Sequence, residues 1–190
     1  MTKPLLTDAD FASAATTLGC IAAAVKAVCQ VEAPRGGFNP DGTPVTLFEA
    51  HIFHRYTNGR FDATHPDLSS PKWNRALYGK GWEAEQARLQ RAVALDPVAA
   101  RMSASWGRFQ LMGFNFAICG FADVQAFVNA MYTSEASQLA AFVQYVKHVG
   151  LGDELRDKRW AAFALRYNGA EYTKNKYDLE LAAAYKTFAA

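Results

Sequence analysis

Apolar positions recur at helical spacing along most of this chain, and the most informative stripe lies early. Ile21, Val25, Val28 and Glu32 follow one another at intervals of four, three and four. That spacing puts all four on one face of a helix running from about Ile21 to Glu32. The stripe is apolar until it closes on a carboxylate, so Glu32 is expected on the buried face. The PRGG stretch from Pro34 to Gly37 then forbids the helix to continue.

The same reading predicts the remaining elements. Thr7 and Asp10 form a capping box that opens a helix over Asp8 to Leu18, with Gly19 as its stop. The stretch from Asn39 to Gly42 reads as a turn, and Val45 to Phe48 as a short strand. Glu49 to Tyr56 returns to helical spacing through Ile52 and Tyr56. Residues 58–81 are rich in Pro, Gly, Ser and Asn and read as an irregular loop or small β excursion. Phe61, Leu68, Trp73, Leu77 and Tyr78 within it call for burial. Helices are predicted over Trp82 to Leu95 and onward from Pro97, which follows the N-cap Asp96. Ser105 to Gly113 is short and tight. Asp123 caps a helix to Tyr132, and Ser134 caps another ending before Gly150. A helix from Asp157 carries Trp160, Phe163, Ala164 and Tyr167 on one stripe. The last helix, from about Asn175, turns Tyr177, Leu181, Tyr185 and Phe188 inward. No internal repeat, heptad run or low-complexity tail is present. The expected architecture is one mainly α domain, residues 1–190, with a small irregular β element near residues 38–80 and a cleft.

Composition narrows the function. About half of the 190 residues are apolar and the formal net charge is +2. This mild charge fits an anionic partner such as cell wall and excludes the basic stripe of a nucleic-acid binder. Cys20, Cys29 and Cys119 are odd in number and contain no C-x-x-C pair, so three reduced, packed thiols are expected. That suits synthesis in a reducing cytosol. The apolar run from Leu18 to Val31 is interrupted by Lys26 and too short to span a bilayer. Asp8 and Asp10 fall where the apolar core of a signal peptide would build. The TLGC stretch ending at Cys20 has too polar an approach for a lipoprotein box.

Three segments carry candidate chemistry. The first is VEAPRGGF, containing Glu32. The second is SASWGRFQLMGFN, with Ser105, Gly107 and Gln110 in an S-x-G-x-x-Q arrangement. The third is ALRYNGA, with Tyr167 and Asn168 at a helix end before Gly169. Each is common alone. In this order, and with LFEAHIF, RLQRAVALDPVAARMSASWGRFQLMGFN, CGF and FALRYNGAEYTKNKYD around them, they resemble the N-acetylmuramidase family of phage and prophage endolysins. That family is akin to goose-type lysozymes and lytic transglycosylases. The resemblance runs from about Leu18 to the end of the chain. It implies a lysozyme-like fold that cleaves peptidoglycan glycan strands, with Glu32 as the catalytic glutamate. It also places Gln110, Tyr167 and Asn168 along the cleft. Ala33 stands where many relatives have Ser, removing one hydroxyl near the acid. A peptidoglycan-binding module, a frequent companion, finds no room in this length.

The chemistry of Glu32 follows from the bond to be broken. A glycosidic oxygen leaves only when protonated, so the acid must be un-ionised near neutrality. An ordinary glutamate titrates at about 4.3 and must rise by roughly two pH units. Burial beside Ile21, Val25 and Val28 disfavours the charge, as does the negative end of the helix. Gly36 and Gly37 are expected to leave room for a sugar. A second carboxylate is expected of most glycosidases, and Glu49 and Asp41 are the candidates. The bland reading of Glu49 is a salt bridge or helix cap near Arg55 or a histidine. Gln110, Tyr167 and Asn168 either bind substrate, orient Glu32 or satisfy core hydrogen bonds. Ser105 is expected to bind substrate. Phe109, Phe48 and Trp106 either stack on sugar rings or pack in the core.

Other readings stay open at this stage. A lytic transglycosylase needs one glutamate and gives 1,6-anhydro products. A wall-binding module would keep the fold without the chemistry. A zinc peptidase would need more than His51 and His54, because H-E-x-x-H is absent and neither His65 nor His148 falls at a ligand spacing. The expectation is a monomeric muramidase that needs no metal or cofactor. It is made in the host cytoplasm and acts on periplasmic peptidoglycan after release.

Overall fold

The computed structural model describes residues 3–190; residues 1 and 2, which the expected domain includes, lie outside the described residues. The capping box forms as read. Thr7 Oγ1 accepts the Asp10 N–H, and the Asp10 carboxylate accepts the Thr7 N–H at 2.8 Å. Helix α1 (Asp8–Leu18) stops at Gly19, whose φ of 65° is the left-handed value that glycine adopts freely. Helix α2 (Ala22–Glu32) begins one residue later than predicted. Ile21 is its N-cap, with extended backbone, and stands 52% exposed. The apolar stripe therefore starts with Val25 and Val28, both fully buried.

Strand β1 (Thr46–Phe48) leads into α3 (Ala50–Thr57). The inward face of α3 is Ala50, Phe53 and Thr57, not the Ile52–Tyr56 face that the spacing suggested. Tyr56 is instead 36% exposed against Phe114. Residues 58–81 form turns and a short 3-10 helix over Arg75–Leu77. Leu68 is fully buried and Phe61 stacks on Phe53 at 5.6 Å, as their apolar character requires. Trp73 breaks the expectation: it is 58% exposed and edges onto Tyr78.

This irregular segment is pinned by a buried ion pair from α4 (Trp82–Leu95). Glu85 accepts the N–H groups of Phe48 and Gly79 and pairs with Arg88 at 2.8 Å. Arg88 in turn reaches the carbonyls of Phe48 and Asp67. Buried charges persist only when so bonded. Gly79 is required there, since a Cβ would lie 2.8 Å from Ala84 and the Glu85 nitrogen.

Asp96 caps α5 (Pro97–Met102) by accepting the Ala99 N–H at 3.0 Å. Then comes the part of the β element that the pattern did not reveal. Strands β2 (Ala104–Trp106) and β3 (Leu111–Met112) come from the segment read as short and tight. They join β1 in an antiparallel sheet of order β1-β2-β3, with Leu47 opposite Ser105 and Ser105 opposite Met112.

The remaining chain is helical: α6 (Val124–Thr133), α7 (Glu135–Val149), α8 (Gly152–Arg156), α9 (Trp160–Tyr167) and α10 (Tyr177–Ala189). Asp123 and Ser134 cap α6 and α7 as predicted. Helix α8 was not anticipated. Helix α10 packs along α2 and buries Leu181, whereas Phe188 is 40% exposed and not inward. The buried apolar side chains form one continuous cluster. Phe109 and Phe142 stack at its centre with centroids 4.3 Å apart. All three cysteines are free. Among the described residues, no single helix is long and apolar enough to cross a membrane.

Candidate active site

A groove of about 1050 Å³ runs between the end of α2 and the small sheet. One wall carries Glu32, Tyr167, Asn168 and Tyr177; the other carries Leu47, Glu49, Ser105, Gln110 and Trp82. Of these, the sequence pointed to Glu32, Glu49, Ser105, Gln110, Tyr167 and Asn168, and it missed Leu47, Trp82 and Tyr177.

Glu32 ends α2 and is half-buried. Its Oε1 accepts a 2.7 Å hydrogen bond from Asn168 Nδ2. Removal from water pushes its pKa up to about 7, and the Asn168 donor pulls weakly the other way. At neutral pH a large share of this carboxyl therefore keeps its proton. Asn168 Oδ1 is buried without a partner among the described residues. Tyr167 faces the groove, but its hydroxyl donates to the Phe109 carbonyl at 2.6 Å. Its ring sits among Phe142, Tyr145 and Phe163, so burial raises the phenol well above its ordinary value.

Glu49 lies on the opposite wall, immediately before α3. The Tyr78 hydroxyl donates to both carboxylate oxygens at 2.9 Å, and Trp73 Nε1 donates to that same hydroxyl at 2.7 Å. His51 Nδ1 lies 3.3 Å from Glu49 Oε2. His54 turns instead to Asp62 at 2.8 Å, so the two imidazoles serve different carboxylates. Burial raises the Glu49 pKa, with the Tyr78 hydrogen bond opposing it. Asp41 borders no part of this groove; its carboxylate is taken by Thr43, at 2.7 Å from the hydroxyl.

Gln110 and Ser105 are committed to the floor. Ser105 Oγ donates to Gln110 Oε1 at 2.8 Å, and Gln110 Nε2 donates to the Gly107 and Val45 carbonyls. Gln110 itself adopts a left-handed φ of 47°. Its side chain thus holds the β2–β3 turn against β1 and leaves only its edge to a ligand. Phe109, Phe48 and Trp106 do not line the groove. Phe109 and Phe48 are at most 1% exposed, so the stacking role is closed to them and core packing accounts for all three.

The loop after Glu32 is buttressed from behind by residues that no sequence pattern singles out. Glu135, buried on α7, accepts the Gly37 N–H at 2.6 Å and pairs with Arg108 at 2.9 Å. Gln138 accepts the Arg108 N–H at 2.7 Å and donates to the Met131 carbonyl. Arg108 Nε also reaches Cys29 Sγ, one turn before Glu32. A Cβ on Gly37 would lie 2.1 Å from Gln138 Oε1. Gly37 is therefore glycine for close packing against Gln138, not to open space for a sugar, and it is buried. Gly36 lines the groove at a φ of 101°.

These features define a lysozyme-like fold: helices around a small antiparallel sheet, with a cleft and a half-buried glutamate at a helix end. Residues 21–189 match the N-acetylmuramidase family, and the chain belongs to that family. Among solved structures it is similar to the crystal structure of Burkholderia AP3 phage endolysin. The two are 43% identical with a TM-score of 0.88, over 97% of this chain and 71% of that one. A search of curated proteins returned no match.

Proposed function

We propose that this protein is an endolysin-type N-acetylmuramidase. It hydrolyses the β-1,4 bond between N-acetylmuramic acid and N-acetylglucosamine in peptidoglycan, with Glu32 as general acid. The observation that carries this reading is the half-buried Glu32 carboxyl, whose pKa is raised to about 7 and which lines a groove of about 1050 Å³. Family membership and the likeness to a phage endolysin support it.

In this reading the Glu32 O–H donates to the glycosidic oxygen as the C–O bond breaks. Positive charge develops at the anomeric carbon. Glu49, ionised, takes a proton from the water that attacks that carbon. Glu32 and Glu49 both line the groove, so a glycan seated in it meets both carboxyls. Once Glu32 has given up its proton, the Asn168 N–H stabilises the carboxylate left behind. Residues 1–190 act as one catalytic domain, monomeric and without a cofactor. Synthesis in the host cytoplasm and release to the periplasmic wall complete the endolysin reading.

Mass spectrometry of the fragments released from purified peptidoglycan tests it. Hydrolysis leaves reducing ends; transglycosylation leaves 1,6-anhydro ends lighter by one water. Anhydro products would overturn the hydrolytic assignment.

A further inference from the structure

The groove is branched. A side cavity of about 340 Å³ opens beside it and shares Arg35, Gly36, Phe38, Asn39 and Pro40 with it. Arg35 stands at the fork and is exposed. Among the described residues it is the only Lys or Arg lining the main groove and has no carboxylate partner. Lys3 also lines the side cavity, donates to the Tyr132 carbonyl and lies over the Phe38 ring. The cavity also meets two carboxylates. Glu135 is already neutralised by Arg108, which leaves Asp41, bonded to Thr43, against two cations. The surplus in the side cavity is positive, whereas the main groove carries Glu32 and Glu49.

A groove with a cationic side branch fits a branched ligand whose branch is anionic. A glycan bearing peptide side chains is such a ligand, and its stems end in carboxylates. We propose that the side cavity binds the stem peptide of the substrate and that Arg35 pairs with a stem carboxylate at the fork. Two residues beyond Arg35 the loop is anchored, because Gly37 is held by Glu135 and Gln138. A planar guanidinium on a fixed loop suits bidentate capture of a carboxylate. This inference rests on the muramidase reading for the identity of the substrate.

The test measures binding of a soluble disaccharide-tetrapeptide, native and with its stem carboxyls converted to amides, to the wild type and to Arg35→Gln. Calorimetry at low salt reads Kd. Amidation should weaken wild-type binding about fivefold, and raised salt should erode the difference. Arg35→Gln should bind native and amidated ligands with nearly equal Kd. Equal binding of both ligands by the wild type would overturn the proposal, as would an amidation penalty undiminished in Arg35→Gln. Reducing-end release from whole peptidoglycan is assayed alongside. Its absence in the wild type would strike the muramidase reading, while the binding comparison would still decide the role of Arg35.

Discussion

The two walls of the groove each present a glutamate, and they treat it differently. Glu32 sits at the end of an apolar helix with one donor, Asn168 Nδ2, against one oxygen. Glu49 sits at the start of α3 with a phenol donating to both of its oxygens and an imidazole nearby. Burial raises both pKa values. Hydrogen bonds oppose the rise at both, and Glu49, with the Tyr78 donor on both oxygens, is the better placed to remain ionised. Two identical side chains thus meet different surroundings, and the proposed division into acid and base rests on that difference.

The largest break in this comparison is Glu32→Gln. It should lower kcat/KM by on the order of 10³-fold, because no proton donor is left, while circular dichroism shows an unchanged fold. Glu49→Gln should cost about 10²-fold and remove the acid limb of the pH–rate profile. Loss of the alkaline limb instead would reverse the two roles. Tyr78→Phe sharpens the comparison: without its hydroxyl the Glu49 pKa rises, and the acid limb should move to higher pH with activity down several-fold. Asn168→Ala does the same for the other wall, moving the alkaline limb upward.

The smallest effect is one of stability. The Glu32 pKa is about 7 when folded, against an ordinary value near 4.5. The folded state therefore holds a proton that the unfolded chain releases between those values. Stability from this group is complete below about pH 4.5 and is lost as pH rises through about 7. Glu32→Gln escapes that loss. Its melting temperature should exceed that of wild type by a few degrees at pH 8 and match it near pH 4, an effect of on the order of 2 kcal/mol.

How much of this was legible in the chain depends on distance along it. Caps and stops are local chemistry, so Thr7 with Asp10, Asp96 with Pro97, Asp123, Ser134 and Gly150 marked helix ends where the structure has them. Glu32 was legible because its stripe lies within one helix. Strands β2 and β3 were not, since runs of three and two residues show no alternation to read. The buttress behind Gly37 is invisible for another reason: Glu135 and Gln138 look like ordinary polar positions on α7 until the chain brings Gly37 against them across 98 and 101 residues. Trp73 misled because a large apolar side chain normally argues for burial, and here its ring edges onto Tyr78 at the surface. Phe109 was offered to the substrate and taken by the core, where its carbonyl and not its ring serves the site by fixing Tyr167.

Helix α10 lies along α2, and Tyr177 at its start borders the groove beside Glu32. The dryness around the acid is therefore supplied in part by the final thirteen-residue helix of the sequence. A change that loosens this segment would therefore let water toward the Glu32 carboxyl as well as weaken the packing around Leu181.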